Sequence, residues 1–361
     1  MYKLSLLTLL SISYCWNLVA QCPSGDIILS SQEDVTEFAT NYPNCSEITK
    51  SLSIRSIEFS PSNISDLSGL DGLTSIEGNL KIERNGPLSS LTGLENISSV
   101  GGNLQIIGNI SLTTLTDLSS LSELGGYIDI SNNEALSTLQ GLEGLNSVNG
   151  FLSVFDNNGL ENLQGLENII TIGGELYIGS NDVLSGLGEL SNLTSIGGRL
   201  ALIYTVLTSL EGLENLVSIN GELTLVDNFT LTNLEGLEQI NSNTITNVRL
   251  TNNPQLSVCS IENICDYLGI DMNTAEISEN ATGCGSREAI LETCSPTKAV
   301  GNRPVLQLDI FPNPTTGLIQ LLNINTEQLY LFNTQGQRLA AVQLADQELD
   351  LSHFPPGNYY L

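Results

Sequence analysis

Residues 152–175 read LSVFDNNGLENLQGLENIITIGGE, and the residues that follow, Leu176-Tyr177-Ile178-Gly179-Ser180-Asn181, begin the same phrase again. Set in one column, Leu80, Leu104, Ile128, Leu152, Leu176, Leu200, Leu223 and Val248 are separated by 24, 24, 24, 24, 24, 23 and 25 residues. A fixed period of this length marks a repeat architecture in which each unit is one coil. Two residues on, Ile82, Ile106, Ile130, Val154, Ile178, Leu202, Leu225 and Leu250 make a second apolar column, so each coil carries a short strand with alternate side chains facing inward. Five residues after the first column stand Asn85, Asn109, Asn133, Asn157, Asn181, Thr205, Asn228 and Asn253, an amide ladder with one break. Such amides satisfy the backbone of neighbouring coils at a buried corner, which makes them structure rather than a ligand site.

Further apolar columns lie eight, eleven and fourteen residues after the first, as in Leu160, Leu163 and Leu166, and again at seventeen and twenty, as in Ile169 and Ile172. A three-residue step does not suit a strand and predicts a turn-like or 3₁₀-like arc on the opposite wall. Gly69, Gly93, Gly141, Gly165, Gly212 and Gly236 punctuate one corner, and pairs such as Gly125-Gly126 and Gly173-Gly174 the other, where positive φ or close backbone approach is expected. One coil alone cannot bury its leucines, whereas stacked coils share a core and pair their strands in parallel about 4.8 Å apart. The expected fold is mainly β: a right-handed parallel β-solenoid over residues 52–258, closed by caps at 21–51 and 259–294.

The chain carries 40 Asp and Glu against 11 Lys and Arg among 361 residues, a formal charge of −29. Nucleic acid is not expected as a partner, because a polyanion meets repulsion and no basic cluster gives it a dock. The one histidine, His353, lies near the last residue, which leaves the repeats without histidine triads or His-ligated zinc. Acids recur as well: Asp71, Glu95, Glu143, Glu167, Glu214 and Glu238 share a column that Ser119 and Ser191 interrupt. One acid per coil argues against a single active site. The column reads as a solvated corner, with a calcium ladder as the alternative; no metal and no cofactor are assigned. Sequons such as Asn96-Ile97-Ser98 and Asn192-Leu193-Thr194 recur because the repeat recurs.

Residues 1–20 place Lys3 before an apolar run and end in Leu18-Val19-Ala20, which reads as a secretory signal peptide. No later run is long enough for a membrane span, so a soluble exported protein without a transmembrane segment is expected. Cys22, Cys45, Cys259, Cys265, Cys284 and Cys294 then form an even set outside the repeats, and export favours disulfides over a zinc site for the last four. Ser31 as an N-cap, with Val35 and Phe38 three apart, predicts a short helix in the first cap. Ile261, Ile264 and Leu268 predict another in the second.

The L-x-I-x-x-N core resembles leucine-rich repeats. The arrangement of Cys22 to Cys45, Leu52-Ser53-Ile54 and coils of the form L-x-G-L-E-x-I-x-S-I-G-G-x-L-x-I looks like the receptor L domain, over roughly residues 22–294. That resemblance implies a helix and a disulfide, Cys22 to Cys45, over the first coil. It also implies ligand binding, without receptor signalling, since no kinase or membrane segment follows. Analogy with leucine-rich-repeat caps favours pairing Cys259 with Cys284 and Cys265 with Cys294 among three connectivities.

Residues 295–304 have no apolar periodicity and read as a linker. From 305 to 361, short segments separated by Pro, Gly and Asn predict a small antiparallel β-sandwich. Three motifs there, with Pro312, Asn313, Pro314 and Gly317 in the first, Gly336 in the second and Gly357 in the third, closely resemble the type A C-terminal sorting domain of type IX secretion in Gram-negative bacteria. The resemblance implies engagement of the type IX machinery and an extracellular or outer-membrane-surface location. The family normally continues through a final strand to a basic end, so truncation at Leu361 is expected.

The function expected is that of a secreted or surface-attached recognition module whose partner is an unknown extracellular protein or glycan, not an enzyme. A structural or adhesive coat is the alternative, and a hydrolase a remote one. If Leu80 and Ile82 face inward, one outward column runs Lys81, Gln105, Asp129, Ser153, Tyr177, Ala201, Thr224 and Arg249, and another Glu83, Ile107, Ser131, Phe155, Gly179, Ile203, Val226 and Thr251. Phe155, Tyr177 and Ile203, with Ile107 and Val226 in the same column as Phe155, are the candidate binding residues, expected as an exposed apolar cluster.

Overall fold

The computed structural model describes residues 22–56 and 62–294 and, in the tail, the strands at 318–320, 328–333, 338–343, 348–350 and 359–360. The signal peptide, the linker, His353 and the sorting-motif residues Pro312, Asn313, Pro314, Gly317, Gly336 and Gly357 lie outside the described residues.

Residues 22–294 form a parallel β-solenoid. Its main wall is an eleven-stranded parallel sheet in strict chain order, starting at Ile27–Leu29 and Leu52–Arg55, passing through the eight repeat strands and ending at Ala275–Ser278. The register is that of the columns: Leu152 pairs with Ile128 on one side and Leu176 on the other, and Val154 with Ile130 and Ile178. The first and last of these strands lie inside the segments read as caps, so the sheet is longer than the 24-residue repeat. Every member of the inward columns is essentially without solvent exposure, and together with the arc leucines they make one continuous core.

The amide ladder holds in geometry on both sides of its break at Thr205. Oδ1 of each asparagine accepts the backbone N–H of the asparagine one coil earlier, as in Asn133 N to Asn157 Oδ1 at 3.0 Å, while its Nδ2 donates to a strand carbonyl of that coil, as in Asn157 Nδ2 to Ile130 O at 2.9 Å. The ladder extends past Asn253 to Asn280, whose Oδ1 accepts from Asn253 N.

The opposite wall departs from a pure arc of turns. The column at offset twenty makes two-residue strands that pair in parallel into two further sheets, one holding Ser75–Ile76 and Ser99–Val100, the other Thr171–Ile172 and Ser195–Ile196. Turns at offset thirteen come in two kinds. Gly93, Gly141, Gly165, Gly212 and Gly236 take φ of 104–118°, whereas Thr116–Leu118 and Gly188–Leu190 are short 3₁₀ segments. Beside each positive-φ glycine, the glutamate two residues on accepts the glycine N–H, for example Gly165 N to Glu167 Oε2 at 2.8 Å. The acidic column therefore closes its own turns. At the second corner the pairs of glycines serve close approach: a Cβ on Gly125 would lie 1.9 Å from Gly101 O.

Both caps carry the expected covers. Ser31 caps the helix Gln32–Asn41 in a capping box with Asp34, and Val35 and Phe38 are buried. Cys22–Cys45, Cys259–Cys284 and Cys265–Cys294 are bonded. Beyond Glu262–Leu268 stands a helix without a counterpart in the sequence reading, Arg287–Thr293, whose Arg287 donates from Nε to Leu268 O and from Nη1 to Asn273 O.

The tail is a separate compact unit from residue 295. Its strands make two antiparallel sheets, 318–320 with 348–350, and 338–343 with 328–333 and 359–360.

Candidate functional site

Three columns of side chains leave the main sheet on the side away from the core: the two named above and the residue just before each strand. They run parallel to the solenoid axis on a rigid lattice. Charge is segregated there. Of the Lys and Arg residues between 22 and 294, namely Lys50, Arg55, Lys81, Arg84, Arg199, Arg249 and Arg287, four stand on this face: Arg55, Lys81, Arg199 and Arg249. Its acids are Asp26, Glu83, Asp129, Glu175, Glu222 and Glu276. The face is thus close to neutral on a solenoid whose other surfaces carry nearly all the negative charge. Arg199 Nη2 bonds Glu175 Oε1 at 2.6 Å, and Arg249 Nε lies 3.0 Å from Glu276 Oε2, close enough to pair but not aligned for a hydrogen bond. Both pairs are substantially exposed and contribute roughly 0–1 kcal/mol each.

Aromatic rings occupy the middle coils. Phe155 and Tyr177 stack with centroids 5.4 Å apart and planes at 27°. Gly179, paired with Phe155 in register, makes room for this: a Cβ there would lie 2.3 Å from Ile203 O and 3.5 Å from the Phe155 ring. Ile203 and Val226 continue the column, whereas Ser131 separates Ile107 from Phe155. The candidate residues thus fall into two adjacent pairs, Phe155 with Tyr177 and Ile203 with Val226, flanking Gly179, and Ile107 stands apart. All five are half-buried rather than fully exposed, because side chains on a flat sheet shield one another. Ala201 and Thr224, central on this face, are wholly covered, and Thr224 Oγ1 has no hydrogen-bond partner.

A second ring pair lies one residue upstream of the strands, Tyr127 on Phe151, with centroids 4.1 Å apart and planes at 15°. The sequence reading missed it because the L-x-I pattern begins one residue later; the signal was two aromatic residues at one offset in consecutive coils. Two residues after Tyr127, paired in register with Ser153, stands Asp129. Withdrawal from water raises its carboxyl above the ordinary range, a hydrogen bond with Ser131 opposes this, and the charge of Glu83 adds to it. Burial likewise raises the Tyr127 and Tyr177 hydroxyls. Among the described residues no group of three His, Cys, Asp or Glu is placed to hold a metal ion.

A parallel solenoid with disulfide-bonded caps and a side-chain-bearing strand face defines the leucine-rich-repeat-like class of β-solenoids. Within that class, residues 44–124 match the family model of the receptor L domain, and residues 309–361 match that of the secretion system C-terminal sorting domain. No curated protein matches the chain. The sorting-domain match indicates export by type IX secretion to the medium or the cell surface, and the receptor L match indicates a binding module. No helix among the described residues is long and apolar enough to cross a membrane.

Proposed function

We propose that this protein is a non-enzymatic recognition module, carried out of a Gram-negative cell by a signal peptide and the type IX machinery, that binds a protein ligand on its strand face. The observation that carries the reading is the near-neutral, ring-bearing face on an otherwise strongly acidic solenoid. Such a face meets a partner with the smallest electrostatic penalty, and side chains held on a sheet lose little entropy on binding. Ring orientation favours protein over glycan. Each ring pair stacks along the solenoid axis, so the inner π-faces are spent on each other and edges point outward, whereas a sugar ring needs an open aromatic face. Flat edges and aliphatic neighbours such as Ile203 and Val226 suit packing against apolar side chains.

An array of extracellular proteins and glycans, probed with the full-length protein, tests this. Protein hits should weaken by about 1–2 kcal/mol or more for Phe155→Ala and Tyr177→Ala while the melting temperature stays near the parent's. Hits confined to glycans, or variants that bind as the parent does, would reject the assignment.

A further inference from the structure

The corner between the strands and the arc is polar on most coils; apart from the isolated Ile110, its exposed apolar side chains gather in one place. Four residues after the first column stand Arg84, Gly108, Asn132, Asp156, Ser180, Tyr204, Asp227 and Asn252, all at φ between 48° and 70°. Gly, Asn and Asp tolerate that conformation best, and a bulky side chain held there is strained. Tyr204 is the aromatic exception, and its side chain is exposed. The same turn breaks the amide ladder at Thr205 and is one residue shorter than its neighbours, with seven residues from Leu200 to Leu207 where eight separate Leu152 from Leu160. Three departures from an otherwise regular repeat thus fall on a single turn. Backbone strain retained against the repeat pattern is a pointer to function.

Their joint product is a surface. Tyr204 and Val206 are 56% and 41% exposed, Phe229 on the next coil is 51% exposed and Val183 on the preceding coil 49%. The Tyr204 hydroxyl lies beside the carboxylate of Asp227 on the next coil, two residues before Phe229. At the position of Val206 and Phe229, the coils from 128 to 199 carry Glu134, Asn158 and Asp182. Single exposed apolar side chains are ordinary, but a contiguous group on three coils marks an interaction site.

We infer that this corner is a second binding site, distinct from the strand face, and that it takes a peptide segment of a partner protein combining apolar or aromatic anchors with Lys or Arg. Charge complementarity selects the occupant. The carboxylates at the corner from the coil of Leu104 onward are Glu134, Asp156, Asp182, Asp227 and Glu279, and no Lys or Arg stands there. An apolar patch rimmed by carboxylates, with two aromatic rings, favours cations through Coulomb and cation–π attraction. A second copy of this chain, itself at −29, is disfavoured by the same charge.

The test measures fluorescence anisotropy of three labelled twelve-residue peptides with the full-length protein: one of Lys, Leu and Trp, one with Glu in place of Lys, and one of Lys and Ser. The Lys-Leu-Trp peptide should bind, and Val206→Asn with Phe229→Asn should weaken it at least tenfold without changing the formal charge. Ile170→Asn with Val217→Asn, which removes exposed apolar side chains elsewhere, should leave binding unchanged. Tyr204→Asn should weaken binding yet raise the melting temperature, because asparagine relieves the strain; a merely structural tyrosine would not divide the two readouts. The inference is overturned if the Lys-Ser peptide binds as tightly as the Lys-Leu-Trp peptide, if the Val206 and Phe229 variant binds as the parent does, or if the control variant loses as much. Strand-face variants such as Phe155→Ala should not affect this peptide, so failure here is separable from failure of the proposed function.

Discussion

At the scale of single residues, the ladder shows what a buried amide does that a hydroxyl cannot. An asparagine accepts from the earlier coil and donates to it at once; Thr205 does neither among the described hydrogen bonds, its Oγ1 donating instead to Asn228 Oδ1 on the following coil at 2.6 Å. The donor that Asn181 Nδ2 supplies to Val154 O has no counterpart from Thr205 among the described hydrogen bonds. Thr205→Asn should therefore add a bond at a buried site and stabilise the protein by about 1 kcal/mol. Urea denaturation measures it; an unchanged or lowered midpoint would show that the shortened turn prevents an amide from reaching. Asp129 offers a second measurement. Its folded carboxyl binds protons more tightly than the unfolded one, chiefly through burial, so in the window from the ordinary carboxylate range up to the raised folded value the native state holds more protons. Its contribution to stability is therefore favourable to folding at low pH and is lost as pH rises through the folded value. Asp129→Asn should melt higher than the parent at pH 7, and the gap should close near pH 3. A gap of equal size at both pH values would mean that charge at Asp129 is not the cause.

At the scale of elements, the repeats supply a core but leave two open ends, and the caps close them by packing and by covalent bonds. Asn263 Nδ2 donates to Leu237 O and Ile240 O and fixes the second cap to the last full coils. Cys265–Cys294 spans 29 residues, so replacing both cysteines with alanine should cost about 3–4 kcal/mol on the chain-entropy account. Differential scanning calorimetry checks this, and a midpoint within a degree of the parent would show that packing alone secures the cap. Wherever a period dictates the structure, the sequence could be read directly: strand register, ladder, buried columns and the outward columns of Tyr177 and Phe155 follow from a repeat of 24. What escaped lies where the period ends or bends. Ile27–Leu29 and Ala275–Ser278 join the sheet from segments whose spacing to the nearest repeat is irregular, so no column exposes them. The helix Arg287–Thr293 is short and takes its stability from tertiary contacts such as those of Arg287, which no local pattern announces. The two-residue strands at offset twenty are too short for alternation to show. The apolar corner at Tyr204 depends on a conformation, positive φ, that becomes visible as strain only once the backbone is known.

At the scale of the whole molecule, the sequence divides its labour between two compact units, with the boundary between Cys294 and Ser295. Stability in a solenoid is close to a sum of coil and neighbour terms. The surplus of acid sits on solvated corners and turns, where carboxylates such as Glu143, Glu167 and Glu214 each close a glycine turn while keeping an exported protein soluble. The tail, in contrast, matches a sorting domain. A division of this kind predicts that export and folding are separable. In a host with the type IX machinery, deletion of residues 305–361 should leave the protein in the periplasm, with all six cysteines of the solenoid still oxidised by mass and a cooperative melt like that of the full chain. If the shortened protein reached the surface as the full chain does, the tail would not be the sorting signal. If it stayed inside but melted without cooperativity or showed free thiols, the tail would instead be part of what holds the solenoid together, and its separation from the recognition unit would be refuted.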